Sequence, residues 1–170
     1  MLDLSQVSLK DLLGFAIRSE MDSNQAYTDL SGMVKNPLLK EKFQWLAFEE
    51  NKHKEVLENL FAALLPGESL SIPEQASFPL LKKINITPSS SLVDLLYQAM
   101  ESEKTAEEFY GEMAQKVEDP HRKILNYLSK VEHTHFLMLR EGNFLGEAGM
   151  QQMTFLLTGL GLGRITPNPQ

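Results

Sequence analysis

Four stretches of the chain place apolar residues at steps of three and four, the period of an α-helix with one buried face. The first runs from a start capped by Ser8 to about Val34, with Leu13, Ile17, Glu20, Asn24, Tyr27, Leu30 and Val34 on one face. The second runs from about Pro37 to Leu65, with Phe43, Leu46, Glu50, His53, Leu57, Leu60 and Leu64. The third begins at the cap Ser91 and runs to about Glu118, with Leu92, Leu96, Ala99, Glu103, Ala106, Tyr110, Met113 and Val117. The fourth runs from about Pro120 to Glu141, with Leu125, Leu128, Glu132, His135, Leu139 and Gly142. Each face is apolar at both ends and polar in its middle.

The connections set the topology. Asn36-Pro37 and Asp119-Pro120 each pair an N-cap residue with a proline that suits the first helical turn, so each joins two antiparallel neighbours. Residues 66 to about 90 carry Pro66, Gly67, Pro73, Pro79 and Pro88 and read as irregular. Extended at about 3.3 Å per residue, such a segment spans ~80 Å, enough to run back along a helix. The pattern therefore predicts an all-α four-helix bundle over residues 1–142 with one long crossover between helices 2 and 3. The tail, 143–170, is Gly-rich and apolar, and a short helix near 149–158 is expected there, packed on the bundle or on another subunit.

The chain is an approximate internal repeat. Each half has a Glu with a Tyr seven residues later (Glu20 and Tyr27, Glu103 and Tyr110), a short turn, then Glu-x-x-His (Glu50 and His53, Glu132 and His135). The first Glu of each half precedes the second by 30 and 29 residues. Side chains three apart on a helix share a face, so each Glu and its His reach one point. A lone Glu-x-x-His is a weak signal; two of them, inward and in register with inward Glu residues, are a strong one. Four buried carboxylates need cations or protons. We therefore read Glu20, Glu50, His53, Glu103, Glu132 and His135 as ligands of a two-metal site. Mixed carboxylate and imidazole donors suit iron or manganese, with zinc as a substitute. His133 falls off the inner face, and Glu118-x-x-His121 is interrupted by Pro120. Trp45, Met21, Met100 and Met113 read as packing.

Composition narrows the classes. A net charge of −7 argues against nucleic-acid binding, which needs a basic face. No cysteine is present, which excludes disulfides, thiol catalysis and thiolate-held clusters within these residues. No apolar run is long enough to cross a membrane, and Met1 to Lys10 has no signal-peptide pattern. The expected location is the cytoplasm, with no membrane partner.

These residues together resemble the rubrerythrin-like branch of the ferritin-like di-iron carboxylate proteins, over about residues 10–142. The resemblance implies two iron ions, with Glu50 and Glu132 bridging and Tyr27 and Tyr110 donating hydrogen bonds to ligands. It implies reduction of hydrogen peroxide or dioxygen, and a homodimer, sometimes with exchanged helices. Two departures stand out. Full rubrerythrins carry a rubredoxin domain with four cysteines, so electrons here are expected from a separate protein. Many also have a Glu on the third helix one turn after the ligand, where this chain has Ala106. Two other functions compete: a ferroxidase or iron-storage protein using the same site, and a metal-free helical interaction protein using the apolar tail.

Overall fold

The computed structural model describes residue 4 and residues 6–75 and 81–141. Among them are four helices, α1 (Leu9–Met33), α2 (Pro37–Leu64), α3 (Leu92–Ala114) and α4 (His121–Glu141), and no strand. Gly142 as a helix cap, the tail from Asn143 and the helix expected near 149–158 lie outside the described residues.

The ends of the helices follow from local chemistry. Ser8 Oγ accepts from the Asp11 N–H, and Ser91 Oγ from the Asp94 N–H, each at 3.1 Å. Asn36 Oδ1 accepts from the N–H groups of Leu38 and Leu39, with Pro37 in the first turn. Each such cap satisfies backbone donors that have no partner within the helix. Two boundaries differ from the sequence pattern. α3 ends at Ala114, because Gln115 and Lys116 donate to carbonyls three residues back and tighten the last turn. Val117 stays buried beyond it. α4 begins one residue after Pro120, with the Asp119 carboxylate 2.9 Å from Lys123 Nζ.

Contacts between helices fix their directions. Along α1 and α2, Asn24 donates to the Ala47 carbonyl, and Tyr27 stacks on Phe43 at 6.1 Å, so the two run antiparallel. On α3 and α4, Ser129 Oγ flanks Gly111 while His133 meets Glu107, again antiparallel. Tyr27 meets Glu103 while Tyr110 meets Glu20, so α1 and α3 are antiparallel too. It follows that α2 and α3 point the same way, so the connection between them must return along the bundle. Its described residues pass over α1 and α3. Ser71 passes Gly14, Lys83 Nζ pairs with Asp22 at 3.3 Å, and the Asn85 N–H donates to Gln98. This is the ferritin-like arrangement, with a single long crossover.

The apolar core is split in two. One half packs the end of the bundle that holds Leu30, Phe43, Leu46, Leu96 and Leu139. The other holds Leu13, Ile17, Leu57, Phe109 and Leu128. Between them lies a belt of buried polar side chains contributed by all four helices.

Candidate metal centre

The belt consists of Glu20, Glu50, His53, Glu103, Glu132 and His135, each at most 4 % exposed. All six residues singled out from the sequence are thus brought together. Their arrangement repeats the twofold pattern of the chain. His53 Nδ1 lies 3.2 Å from Glu50 Oε2, and His135 Nδ1 lies 3.2 Å from Glu132 Oε2. The two imidazole rings stack, 5.4 Å apart and 16° from parallel.

The carboxylates fall into two kinds. Glu50 and Glu132 each face both imidazoles. Glu132 is 2.8 Å from His53 Nδ1, and Glu50 is 3.5 Å from His135 Nδ1. Glu20 approaches His53 at 3.8 Å, and Glu103 approaches His135 at 3.6 Å. One donor atom from each of Glu50, His53, Glu132 and His135 can be chosen so that all lie within 4.8 Å of one another.

Tyr27 and Tyr110 close the belt from α1 and α3. Tyr27 Oη donates to Glu103 Oε1, and Tyr110 Oη donates to Glu20 Oε1. Each tyrosine therefore serves the carboxylate of the opposite half, not the Glu seven residues before it. Both phenols are fully buried. Burial, then the adjacent carboxylates, raises both well above the usual phenol range, so they stay protonated donors.

Charge in the belt is tightly linked. Burial, and then repulsion from Glu50 and Glu132, raises Glu20 well above the usual carboxylate range. Glu103 is raised in the same way, burial first and Glu50 next. Burial also opposes ionisation of Glu50, but the two histidines outweigh it and hold Glu50 low. Glu132 is lowered against burial and Glu50 by the same pair. Burial would lower the histidines; the carboxylates facing Nδ1 win, pushing His135 up to about 12 and His53 upward too.

The donor set fits a metal. Glu50 Oε1, Glu132 Oε1 and His53 Nδ1 are buried and make no hydrogen bond, although His53 Nδ1 and Glu132 Oε1 are only 2.8 Å apart. Close approach without alignment is what atoms converging on a shared third body show, and buried polar atoms otherwise find partners. Four carboxylates and two imidazoles suit iron or manganese better than softer metals.

One side chain behaves differently from the sequence pattern. Trp45, read as packing, is 43 % exposed and meets the His135 ring nearly at right angles. Its position five residues before Glu50 carries no sequence signal for contact with another helix. His133 is exposed, as expected, and its Nδ1 lies 3.0 Å from Glu107 Oε2. Ala106, at the inner position after Glu103, packs against the apolar core.

Fold and belt together define a ferritin-like bundle with a carboxylate–histidine centre. Residues 11–142 match the family model described as Rubrerythrin. The chain belongs to the rubrerythrin family. It is similar to a solved structure, a hypothetical protein from Pyrococcus furiosus, at 30 % identity and a TM-score of 0.74. That similarity covers 91 % of this chain and 95 % of the other. No curated protein matches. Among the described residues, no helix is long and apolar enough to cross a membrane.

Proposed function

We propose that this protein is a non-haem di-iron oxidoreductase of the rubrerythrin type, reducing hydrogen peroxide or dioxygen with electrons from a separate donor protein. The observation that carries this is the twofold pairing around Glu50 and Glu132. Each of these carboxylates faces both imidazoles, while Glu20 and Glu103 each face one. Such a pairing suits two ions held between the helices. In this reading Glu20 and His53 would hold one ion and Glu103 and His135 the other, with Glu50 and Glu132 available to both. Iron, when bound, supplies two electrons to an O–O bond at one place.

The chain's own residues do the rest. Tyr27 and Tyr110 anchor the outer oxygens of Glu103 and Glu20, leaving the other oxygens to face inward. The two apolar halves of the core exclude water from above and below the belt, which strengthens every electrostatic interaction inside it. Reduction of peroxide to two waters takes two electrons and two protons, and the electrons come from the external donor. The protein is taken to act as a homodimer.

Ferrous iron oxidation by the same six ligands is the second reading, favoured by the same donor set. One experiment separates the two. Protein loaded anaerobically with ferrous iron is given peroxide, then a reductant, over several cycles. Peroxide consumed in proportion to reductant, at constant iron per chain, supports the oxidoreductase. Iron accumulating well beyond two per chain in a large assembly supports storage.

A further inference from the structure

His135 is wholly buried, and its two ring nitrogens have different fates. Nδ1 faces inward and hydrogen-bonds Glu132 at 3.2 Å. Nε2 points the other way, is buried, and has no hydrogen-bond partner. A metal-ligating histidine normally gives its outer N–H to a carboxylate, a carbonyl or water, which fixes the tautomer and the ring's orientation. Here the neighbour is an aromatic ring: the Trp45 indole lies 5.4 Å from the imidazole, at 85°.

We propose that Trp45 is a positioning residue for His135, receiving the outer Nε2–H on its π face and sealing that nitrogen from water. The inference rests on the metal-centre reading above. An N–H pointed at an aromatic face is a weak hydrogen bond, favoured because the face carries the negative end of the ring's quadrupole. It holds the proton on Nε2 and so leaves the Nδ1 lone pair free for a metal ion. The indole is partly exposed and lines a groove with Leu38 and Met138. The repeat makes the two histidines unequal here: Tyr127, five residues before Glu132 as Trp45 is before Glu50, is 64 % exposed.

Trp45 is the chain's single tryptophan, so tryptophan fluorescence reports on this position alone. The test uses the full chain, stripped of metal and titrated with Co(II), for wild type, Trp45→Phe, Trp45→Leu and Tyr127→Leu. Losing the aromatic face is expected to weaken Co(II) binding about tenfold in Trp45→Leu, the usual effect of removing a ligand's outer partner. Trp45→Phe keeps a face and stays within about threefold of wild type, and Tyr127→Leu within about twofold. Wild-type fluorescence falls as Co(II) binds. In the Zn(II)-loaded wild type, the His135 Nε2–H proton resonates upfield under the indole and moves downfield in Trp45→Leu. Wild-type binding with Trp45→Leu unchanged, or with Phe and Leu variants equally weakened, overturns the proposal but leaves the metal centre standing. No Co(II) binding by wild type overturns both. Should Trp45→Leu not fold, the wild-type proton shift and the Trp45→Phe affinity decide alone.

Discussion

Tyr27 on α1 donates its hydroxyl proton to Glu103 on α3, in the opposite half of the internal repeat. Tyr110 returns the bond to Glu20, so α1 and α3 are tied twice through the polar belt. At this level the hairpins are also joined by His53 to Glu132 and His135 to Glu50, between α2 and α4. Removing either hydroxyl strands a buried carboxyl group. Tyr27→Phe and Tyr110→Phe should each destabilise the metal-free protein by about 1–3 kcal/mol, by similar amounts because their settings match. Urea unfolding of the two variants checks this. Midpoints unchanged in both would mean that the hydroxyls do not restrain the belt.

The protonation pattern predicts how metal and pH interact. Without metal, two imidazolium groups face two ionised carboxylates, and Glu20 and Glu103 stay neutral. The buried belt is then close to neutral overall. Two divalent ions need all four carboxylates ionised and both imidazoles deprotonated. Loading should therefore release about four protons per chain near neutral pH, one for each positive charge delivered. Calorimetric titration in buffers of differing ionisation heat counts them. Release of fewer than about one proton per chain would contradict the pairing drawn here.

Stability follows with a definite sign. His53 and His135 are raised, so their stabilisation is complete below the unfolded value of about 6.5 and fades as pH climbs through the folded values. Glu20 and Glu103 are also raised, and their contribution fades as pH rises from about 4.3. Glu50 and Glu132 are lowered, so theirs is lost only as pH falls below about 4.3. From about pH 5 upward the metal-free protein binds more protons folded than unfolded and loses stability as pH rises. Metal binding gains over the same range. The gap in melting temperature between loaded and stripped protein should widen from pH 6 to pH 8, and a constant or shrinking gap would count against the account.

Two glycines of α1 should respond in opposite ways to alanine. A Cβ on Gly14 would sit 2.5 Å from the Ser71 carbonyl oxygen, in the returning crossover. The backbone oxygen cannot move without lifting that segment, so Gly14→Ala should destabilise by about 1–3 kcal/mol, the range for overpacking. Gly32 has nothing within 4 Å of the same position. Gly32→Ala should stabilise by about 0.5–1 kcal/mol through the backbone entropy of the unfolded chain. A Gly14→Ala melting temperature at or above that of wild type would show that the crossover does not press on α1.

Much of this was legible in the sequence because it depends on one helix at a time. The caps Ser8, Asn36 and Ser91 lie a fixed few residues from what they satisfy, and Glu50 with His53 shares a face by helical geometry alone. Residues facing inward at matching depth converge because a four-helix bundle has one interior. The partners of Tyr27 and Tyr110 were a different matter. Periodicity places each tyrosine near a Glu of its own helix, whereas the bond made depends on how α1 is rotated and shifted against α3. Trp45 is the sharper case. A bulky residue beside an inward stripe reads as packing, and only the placement of α4 reveals that its ring abuts His135. The ends of α3 and α4 also escaped, since a tightened last turn after Ala114 and the chain's path through Pro120 leave little mark on hydrophobic spacing.

The central claim is that the six buried side chains hold metal ions. Its most direct test is metal content per chain after anaerobic purification, for wild type and for the combined His53→Ala and His135→Ala variant. The account predicts about two iron ions per chain in wild type and nearly none in the variant, with helical content retained in both. Wild-type protein that stays free of metal when offered ferrous iron, or a variant that keeps both ions, would contradict it.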